Sequence, residues 1–189
     1  MSARLCSFAS QSAVFTPEEC DQIRELGAKL SLEEAKTNSD QGGNELVLMK
    51  RNCEIKWVKR GHEGWDWVFE RINARARELN GTRWSFEVND VDRIQYTSYG
   101  MGEFYSAHFD NGSKATQHRK LSISVQLSPA KAYVGGALRL WSMNDTNTAP
   151  KDQGSMTCFP AYLMHVAKPV WWGRREVLVT WMSGDDKLK

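Results

Sequence analysis

Four side chains in this sequence could build a reactive centre between them: His108, Asp110, His165 and Arg175. The first two stand one residue apart in YGMGEFYSAHFDNG, residues 99 to 112, among Tyr and Phe where an unpaired imidazole or carboxylate is costly to bury. Side chains alternate along an extended strand, so His108 and Asp110 project together while Phe109 turns back into the core. An H-x-D triplet alone is short enough to arise by chance, but His165, at the end of a strand candidate in FPAYLMHVAKPVWWGRREVLVTWM, supplies a second imidazole. Two imidazoles and one carboxylate can occupy one triangular face of an octahedral metal and leave the other face open, which suits non-haem Fe(II) in enzymes that bind O2. Zinc accepts the same ligands, although a hydrolase would also need a general base beside its water, and no H-E-x-x-H helix provides one. Arg175 opens REVLVTWM and shares a face with Val177, Val179 and Trp181, so its guanidinium looks along an apolar wall. A guanidinium so placed needs an anion, and its fork matches a carboxylate bidentately. His62, in GHEG, and His118, in TQHRK, stand among polar residues and are read as exposed.

The elements that must position these groups follow from periodicity. TPEECDQIRELGAKL predicts a helix, with Thr16 as cap, Pro17 in the first turn, Glu19 completing a capping box, and Ile23, Leu26 and Leu30 as its apolar stripe. EGWDWVFERINARARELNG predicts a second, with Trp65, Val68, Phe69, Ile72, Ala76 and Leu79 on one face and Asn80-Gly81 as its end. Between them lie the polar KTNSDQGGN and then ELVLMKRNCEIKWVK, read as one or two strands and as the one obvious lid. From Gly81 onward the pattern alternates: WSFEV, RIQYTSY, EFYSAHFD, KLSISVQLS, GALRLW, SMTCFP and REVLVTWM are strand candidates. In KLSISVQLS, Leu121, Ile123, Val125 and Leu127 face one way and Ser122, Ser124, Gln126 and Ser128 the other, a polar face suited to lining a wet cavity. WSMNDTNTAPKDQGS is expected to be a surface loop, and Gly135-Gly136 marks a close approach before a strand. Two helices followed by many strands predict an α+β fold, with helices packed outside a β-sandwich or barrel.

Composition sets the outer limits. The chain has 189 residues, 41% hydrophobic, enough for one sizeable core, so a single domain over 1–189 is expected. With 25 basic and 23 acidic residues intermixed and a net charge of +2, it offers no basic stripe for nucleic acid. No stretch reaches the roughly 18 apolar residues of a membrane span, and no secretory signal is evident, so no membrane partner and a cytoplasmic setting are expected. Cys6, Cys20, Cys53 and Cys158 form no C-x-x-C pair and are expected to be free thiols. The chain's eight Trp are read chiefly as packing residues.

From about Lys50 to Trp181 the sequence resembles the Fe(II)- and 2-oxoglutarate-dependent dioxygenases, in particular their prolyl 4-hydroxylase-like branch. The likeness is carried by Tyr99 and Gly102 ahead of Tyr105, by His108 and Asp110, by Arg119 to Ser122 as R-x-x-S, and by Gly135-Gly136. It continues through Phe159-Pro160, His165, Pro169-Val170, Gly173, Arg175 and Trp181. What the resemblance implies is a double-stranded β-helix, or jelly roll, over about 84–184 behind an N-terminal helical part over about 16–80. It further implies Fe(II) on His108, Asp110 and His165, with Arg175 pairing the distal carboxylate of 2-oxoglutarate and Tyr99 hydrogen-bonding that co-substrate. Gln126, or neighbouring Ser124, falls where relatives often have another co-substrate contact, and Arg119 and Trp181 match positions that touch the substrate. Tyr96, Tyr105, Trp141 and Trp181 are candidate cavity walls, with packing the favoured reading for Tyr96.

The activity the resemblance implies is hydroxylation coupled to oxidative decarboxylation of 2-oxoglutarate by O2, giving succinate and CO2, with ascorbate as a supporting reductant. Asp110 favours hydroxylation, because related halogenases lack the carboxylate and leave a site for chloride. A prolyl residue in a peptide or protein is the leading substrate. A free amino acid or other small metabolite is the alternative, and beyond that stands a non-catalytic jelly roll that binds a metal.

Overall fold

Helix α1 (Pro17–Lys29) starts where the sequence places it: Glu19 N donates to Thr16 Oγ1 at 3.2 Å while Thr16 N donates to Glu19 Oε2 at 2.9 Å, a complete capping box. Its other end is held by Lys56, whose buried Nζ donates to the carbonyls of Gly27 at 3.2 Å and Ala28 at 3.4 Å, a cation at the negative end of a helix. Gly27 is required there, because a Cβ would stand 2.3 Å from the Tyr96 ring. The computed structural model describes residues 7–30, 51–112, 116–142 and 145–184. Cys6, KTNSDQGGN and the ELVLM part of the expected lid lie outside the described residues.

Helix α2 (Asp66–Arg83) runs past Asn80-Gly81, the expected end. Asn80 acts instead as an anchor for the chain beyond the helix: its Nδ2 donates to Phe86 O at 2.8 Å and its Oδ1 accepts from Phe86 N at 3.0 Å. This clamp, together with Ser85 at φ +58, keeps WSFEV from forming the expected strand.

The strands are β1 (Ala9–Gln11), β2 (Arg51–Asn52), β3 (Glu54–Lys59), β4 (Arg93–Tyr99), β5 (Phe104–His108), β6 (Arg119–Gln126) and β7 (Tyr133–Gly135). They continue as β8 (Leu138–Ser142), β9 (Asp145–Thr148), β10 (Met156–Pro160), β11 (His165–Ala167), β12 (Val170–Gly173) and β13 (Arg175–Ser183). A six-stranded sheet has the order β1-β10-β6-β13-β4-β3, a five-stranded one the order β2-β5-β11-β8-β9, and β12 pairs with β7. The two larger sheets are antiparallel and face each other as a jelly roll. Strands β1, β2 and β3 belong to these sheets, so among the described residues the N-terminal part carries strands beside α1 and α2. Thr146 to Thr148, expected in a surface loop, form the edge strand β9 against β8.

Alternation sorts the six-stranded sheet into two surfaces. On the outer face Ile94, Tyr96, Leu121, Ile123, Val125, Leu178 and Met182 pack with Ile23, Val68, Phe69, Ile72 and Ala76 of the helices. Each fully buried Ile or Leu contributes about 1.5–3 kcal/mol there. The inner face carries Gln95, Ser122, Ser124, Arg175, Val177, Val179 and Trp181 toward the second sheet. The helices therefore stiffen the sheet from behind and leave its front for a cavity. Among the described residues no helix is long and apolar enough to cross a membrane.

Candidate active site

A cavity of about 650 Å3 lies between the two sheets. Strands β5 and β11 pair antiparallel with His165 opposite His108, which sets the two imidazoles side by side, ring centroids 4.2 Å apart. Strand β5 ends at His108, and the next residues are held by Asp110 N donating to Ala161 O at 2.9 Å. The alternation expected through Phe109 stops there: its side chain is 54% exposed rather than in the core. Asp110 nevertheless turns inward and is buried.

The three groups converge. Nε2 of His108 lies 3.5 Å from Asp110 Oδ1, and Nε2 of His165 lies 3.4 Å from Oδ2. Each Nδ1 lies beside a main-chain carbonyl, Ser106 O at 2.7 Å and Leu163 O at 3.0 Å, so the proton sits on Nδ1 and the Nε2 lone pair is free. Tyr105 stacks on the His108 ring at 3.5 Å and Phe159 meets the His165 ring edge-on at 4.7 Å, which fixes both ring planes. Ser122 Oγ donates to Asp110 Oδ2 at 2.6 Å.

Burial pushes the Asp110 carboxyl upward, but His165, His108 and the Ser122 hydrogen bond outweigh it and hold the group well below the usual carboxylate range. Burial lowers His165, against the pull of Asp110, so its imidazole is neutral. An ionised carboxylate and a free Nε2 lone pair are the forms that ligate a cation, and the donor atoms of the three residues lie within 4.8 Å of one another. They fit a divalent metal.

Arg175 lies beside them at the start of β13, 4% exposed. Its Nε donates to Gln126 Oε1 at 3.2 Å, and among the described residues no carboxylate pairs with it. Gly136 makes room for its stem, since a Cβ there would stand 3.1 Å from Arg175 Cδ. Tyr99 faces Arg175 across the strand pair, with the guanidinium 5.5 Å from its ring centroid. Burial pushes the Tyr99 phenol up to about 12 and raises Tyr133 against the pull of Arg175, so both stay protonated donors. The buried Tyr133 hydroxyl makes no well-formed hydrogen bond among the described residues. A buried, unpaired guanidinium beside an unspent hydroxyl fits a carboxylate ligand.

Of the residues expected at the site, His108, Asp110, His165, Arg175, Tyr99, Arg119 and Trp181 all line the cavity. Gln126 reaches it only through Arg175, while Ser124 faces it directly. Of the expected walls, Tyr105 and Trp181 line the cavity. Tyr96 packs with the helices and donates its hydroxyl to Glu176, and Trp141 is absent from the lining. His62 and His118 are exposed. Sequence reasoning missed Arg51, Trp57 and Gln95 in the lining. Gln95 was recoverable by alternation from Tyr99, whereas nothing in the residues around Arg51 pointed to it.

Residues 94–183 match the family model described as the 2OG-Fe(II) oxygenase superfamily. The chain is 24% identical over 143 residues to a PKHD-type hydroxylase of Prochlorococcus marinus, covering 75% of this chain and 62% of that protein. It is 24% identical over 172 residues to a PKHD-type hydroxylase of Gloeothece citriformis, covering 90% and 75%. The chain thus spans about three fifths to three quarters of these relatives' lengths. Among solved structures it is similar to a prolyl hydroxylase from Trichoplax adhaerens in complex with a hypoxia inducible factor oxygen degradation domain peptide fragment. There the TM-score is 0.75 at 16% identity, covering 94% of this chain and 84% of that one, a likeness of fold.

Proposed function

We propose that the chain, whose residues 94–183 match the 2OG-Fe(II) oxygenase superfamily, hydroxylates a prolyl residue in a peptide or protein with 2-oxoglutarate and O2, releasing succinate and CO2. The observation that supports this most is the meeting, in one cavity, of the His108, Asp110 and His165 donor atoms with a buried guanidinium that has no carboxylate partner among the described residues. Bound Fe(II), with 2-oxoglutarate and O2, supplies the oxidising chemistry that places one oxygen atom on a C–H bond.

The chain's residues do the rest. His108 and His165 present Nε2, and Asp110 presents the carboxylate that makes the site one for hydroxylation. Ser122 holds Asp110 Oδ2 in place. Arg175 takes the distal carboxylate of 2-oxoglutarate through its two Nη groups, because its Nε is engaged by Gln126. Gln126 is therefore read as orienting the fork rather than touching the co-substrate. Tyr99 and Tyr133 donate from protonated phenols. Leu138, Val177 and Val179 keep water from the reacting atoms. Arg175 also argues against a purely structural metal site, which has no use for a buried cation.

The prolyl substrate is supported by the similarity to a prolyl hydroxylase structure with a peptide bound. A free amino acid or other small metabolite is the second reading, favoured by a cavity of small-ligand size. The deciding experiment supplies proline-containing peptides under labelled O2 and looks for one labelled oxygen on a prolyl residue by mass spectrometry. Succinate production with every such peptide left unoxidised would refute the prolyl assignment.

A further inference from the structure

The charge inside the cavity does not balance. Among the described residues three guanidiniums line it, Arg51, Arg119 and Arg175, against one carboxylate, Asp110. A divalent metal and doubly charged 2-oxoglutarate would cancel each other and occupy Arg175. Asp110 then offsets one positive charge, and two remain. Arg119 cannot share the co-substrate's distal carboxylate. It stacks on Trp181, with the guanidinium 3.6 Å from the ring centroid, and Trp181 lies at the opposite end of the β13 face from Arg175, about 20 Å away at strand rise.

Arg51 and Arg119 flank Tyr105 closely enough for both to act on it and for each to repel the other. Arg51 lies over that ring at 4.5 Å, its Nε on Cys53 Sγ at 3.2 Å and one Nη on Gln95 Oε1 at 3.1 Å. Arg119 donates one Nη to the main-chain oxygen of Asp110 at 3.3 Å. The other N–H groups of both have no acceptor among the described residues, and neither does the buried indole N–H of Trp181. Two mutually repelling cations, stacked on aromatic rings with donors unspent, are stabilised when an anion enters between them.

We propose that the substrate of this site carries a carboxylate, bound by Arg51 and Arg119 with the Trp181 indole N–H as an additional donor. The inference rests on the reading of Arg175 as the co-substrate's partner. The carboxylate is that of an acidic residue beside the target proline or the α-carboxylate of a small amino acid, and two probe pairs separate these sources.

Calorimetry on the protein loaded with Zn(II) and 2-oxoglutarate, which cannot turn over, would compare peptides differing only as Glu or Gln next to the proline. N-acetyl-L-proline against its amide forms the second pair. The carboxylate member of at least one pair binds at least about tenfold tighter, and the pair that shows the preference identifies the source. The advantage falls to about twofold or less in Arg51→Gln and Arg119→Gln, while Arg51→Lys and Arg119→Lys, which keep the charge, retain part of it and so separate a lost contact from a lost fold. Equal affinity within both pairs, no binding of either pair, or a preference that survives both Gln variants overturns the proposal. Release of succinate from 2-oxoglutarate without any substrate is a separate readout. Its presence alongside equal affinities defeats this inference alone, and its absence both here and with every substrate supplied defeats the enzymatic reading.

Discussion

Replacing Arg175 by Met separates a co-substrate residue from a structural one, because the two roles predict opposite results for stability. In the protein without co-substrate the guanidinium is 4% exposed, with one hydrogen bond to Gln126 and no carboxylate among the described residues. A cation so buried is a net cost of several kcal/mol, partly offset by its hydrogen bond and its contact with the Tyr99 ring. Removing it relieves the cost and leaves Gln126 Oε1 unpaired, a loss of about 1–3 kcal/mol. The metal-loaded variant should therefore melt close to or above the wild type. Truncating one partner of a buried charge pair costs about 2–5 kcal/mol of binding, which raises the dissociation constant for 2-oxoglutarate roughly 30-fold to several thousand-fold. At a concentration 100 times the wild-type constant, 2-oxoglutarate stabilises the wild type by about 2.7 kcal/mol, or roughly 5–10 °C for a chain of this size. The variant should show about a third of that rise or less. Differential scanning fluorimetry with and without 2-oxoglutarate, alongside a metal titration, reads all three quantities. An unchanged co-substrate shift, or a large drop in the melting temperature of the co-substrate-free variant, would refute the assignment.

Two further perturbations reach other parts of the account. Ser122→Ala removes the 2.6 Å hydrogen bond to Asp110 Oδ2 and should weaken metal binding about 10- to 100-fold while the fold persists, as read by titration with a divalent cation. Burial pushes the thiols of Cys20 and Cys158 up to about 12 from 9.0, so neither should react with an aromatic disulfide reagent in native protein at pH 8, and both should react after denaturation. The unfolded thiols ionise first, so stability should also fall as pH rises from about 9 toward 12, seen as a falling midpoint in urea.

The parts of the fold most legible in the sequence were those where one face meets the helices and the other meets the cavity. KLSISVQLS and REVLVTWM alternate because Leu121 and Leu178 pack outward while Ser122 and Arg175 point in, and a period of two survives in the sequence as plainly as in the sheet. The capping box at Thr16 was legible because it is local, complete within four residues. Strand β9 was hidden, since a polar edge strand has no buried face to leave a pattern. WSFEV misled for the opposite reason: its alternation is real, but the Asn80 side chain takes the Phe86 main-chain groups that a ladder would need. Phe109 turned outward because β5 ends at His108 and the register passes to a bond with Ala161.

At the site, the residues whose chemistry is rare in a strand, two His, an Asp and an Arg, could be named in advance. Their supporting contacts could not. That Tyr105 stacks on His108, that Gln126 grips Arg175 and that Arg51 reaches Tyr105 depend on register between strands far apart in the chain, which no local pattern encodes. The charge imbalance that points to an acidic substrate became visible only once all three guanidiniums were seen in one cavity.

The most direct test of the central claim is succinate formation by the purified protein supplied with Fe(II), ascorbate, 2-oxoglutarate and O2, measured beside His108→Ala. Succinate should exceed that formed by the variant, vanish when Fe(II) or O2 is withheld and rise with a true substrate. Succinate no higher than in His108→Ala, with every substrate and without one, would contradict that claim.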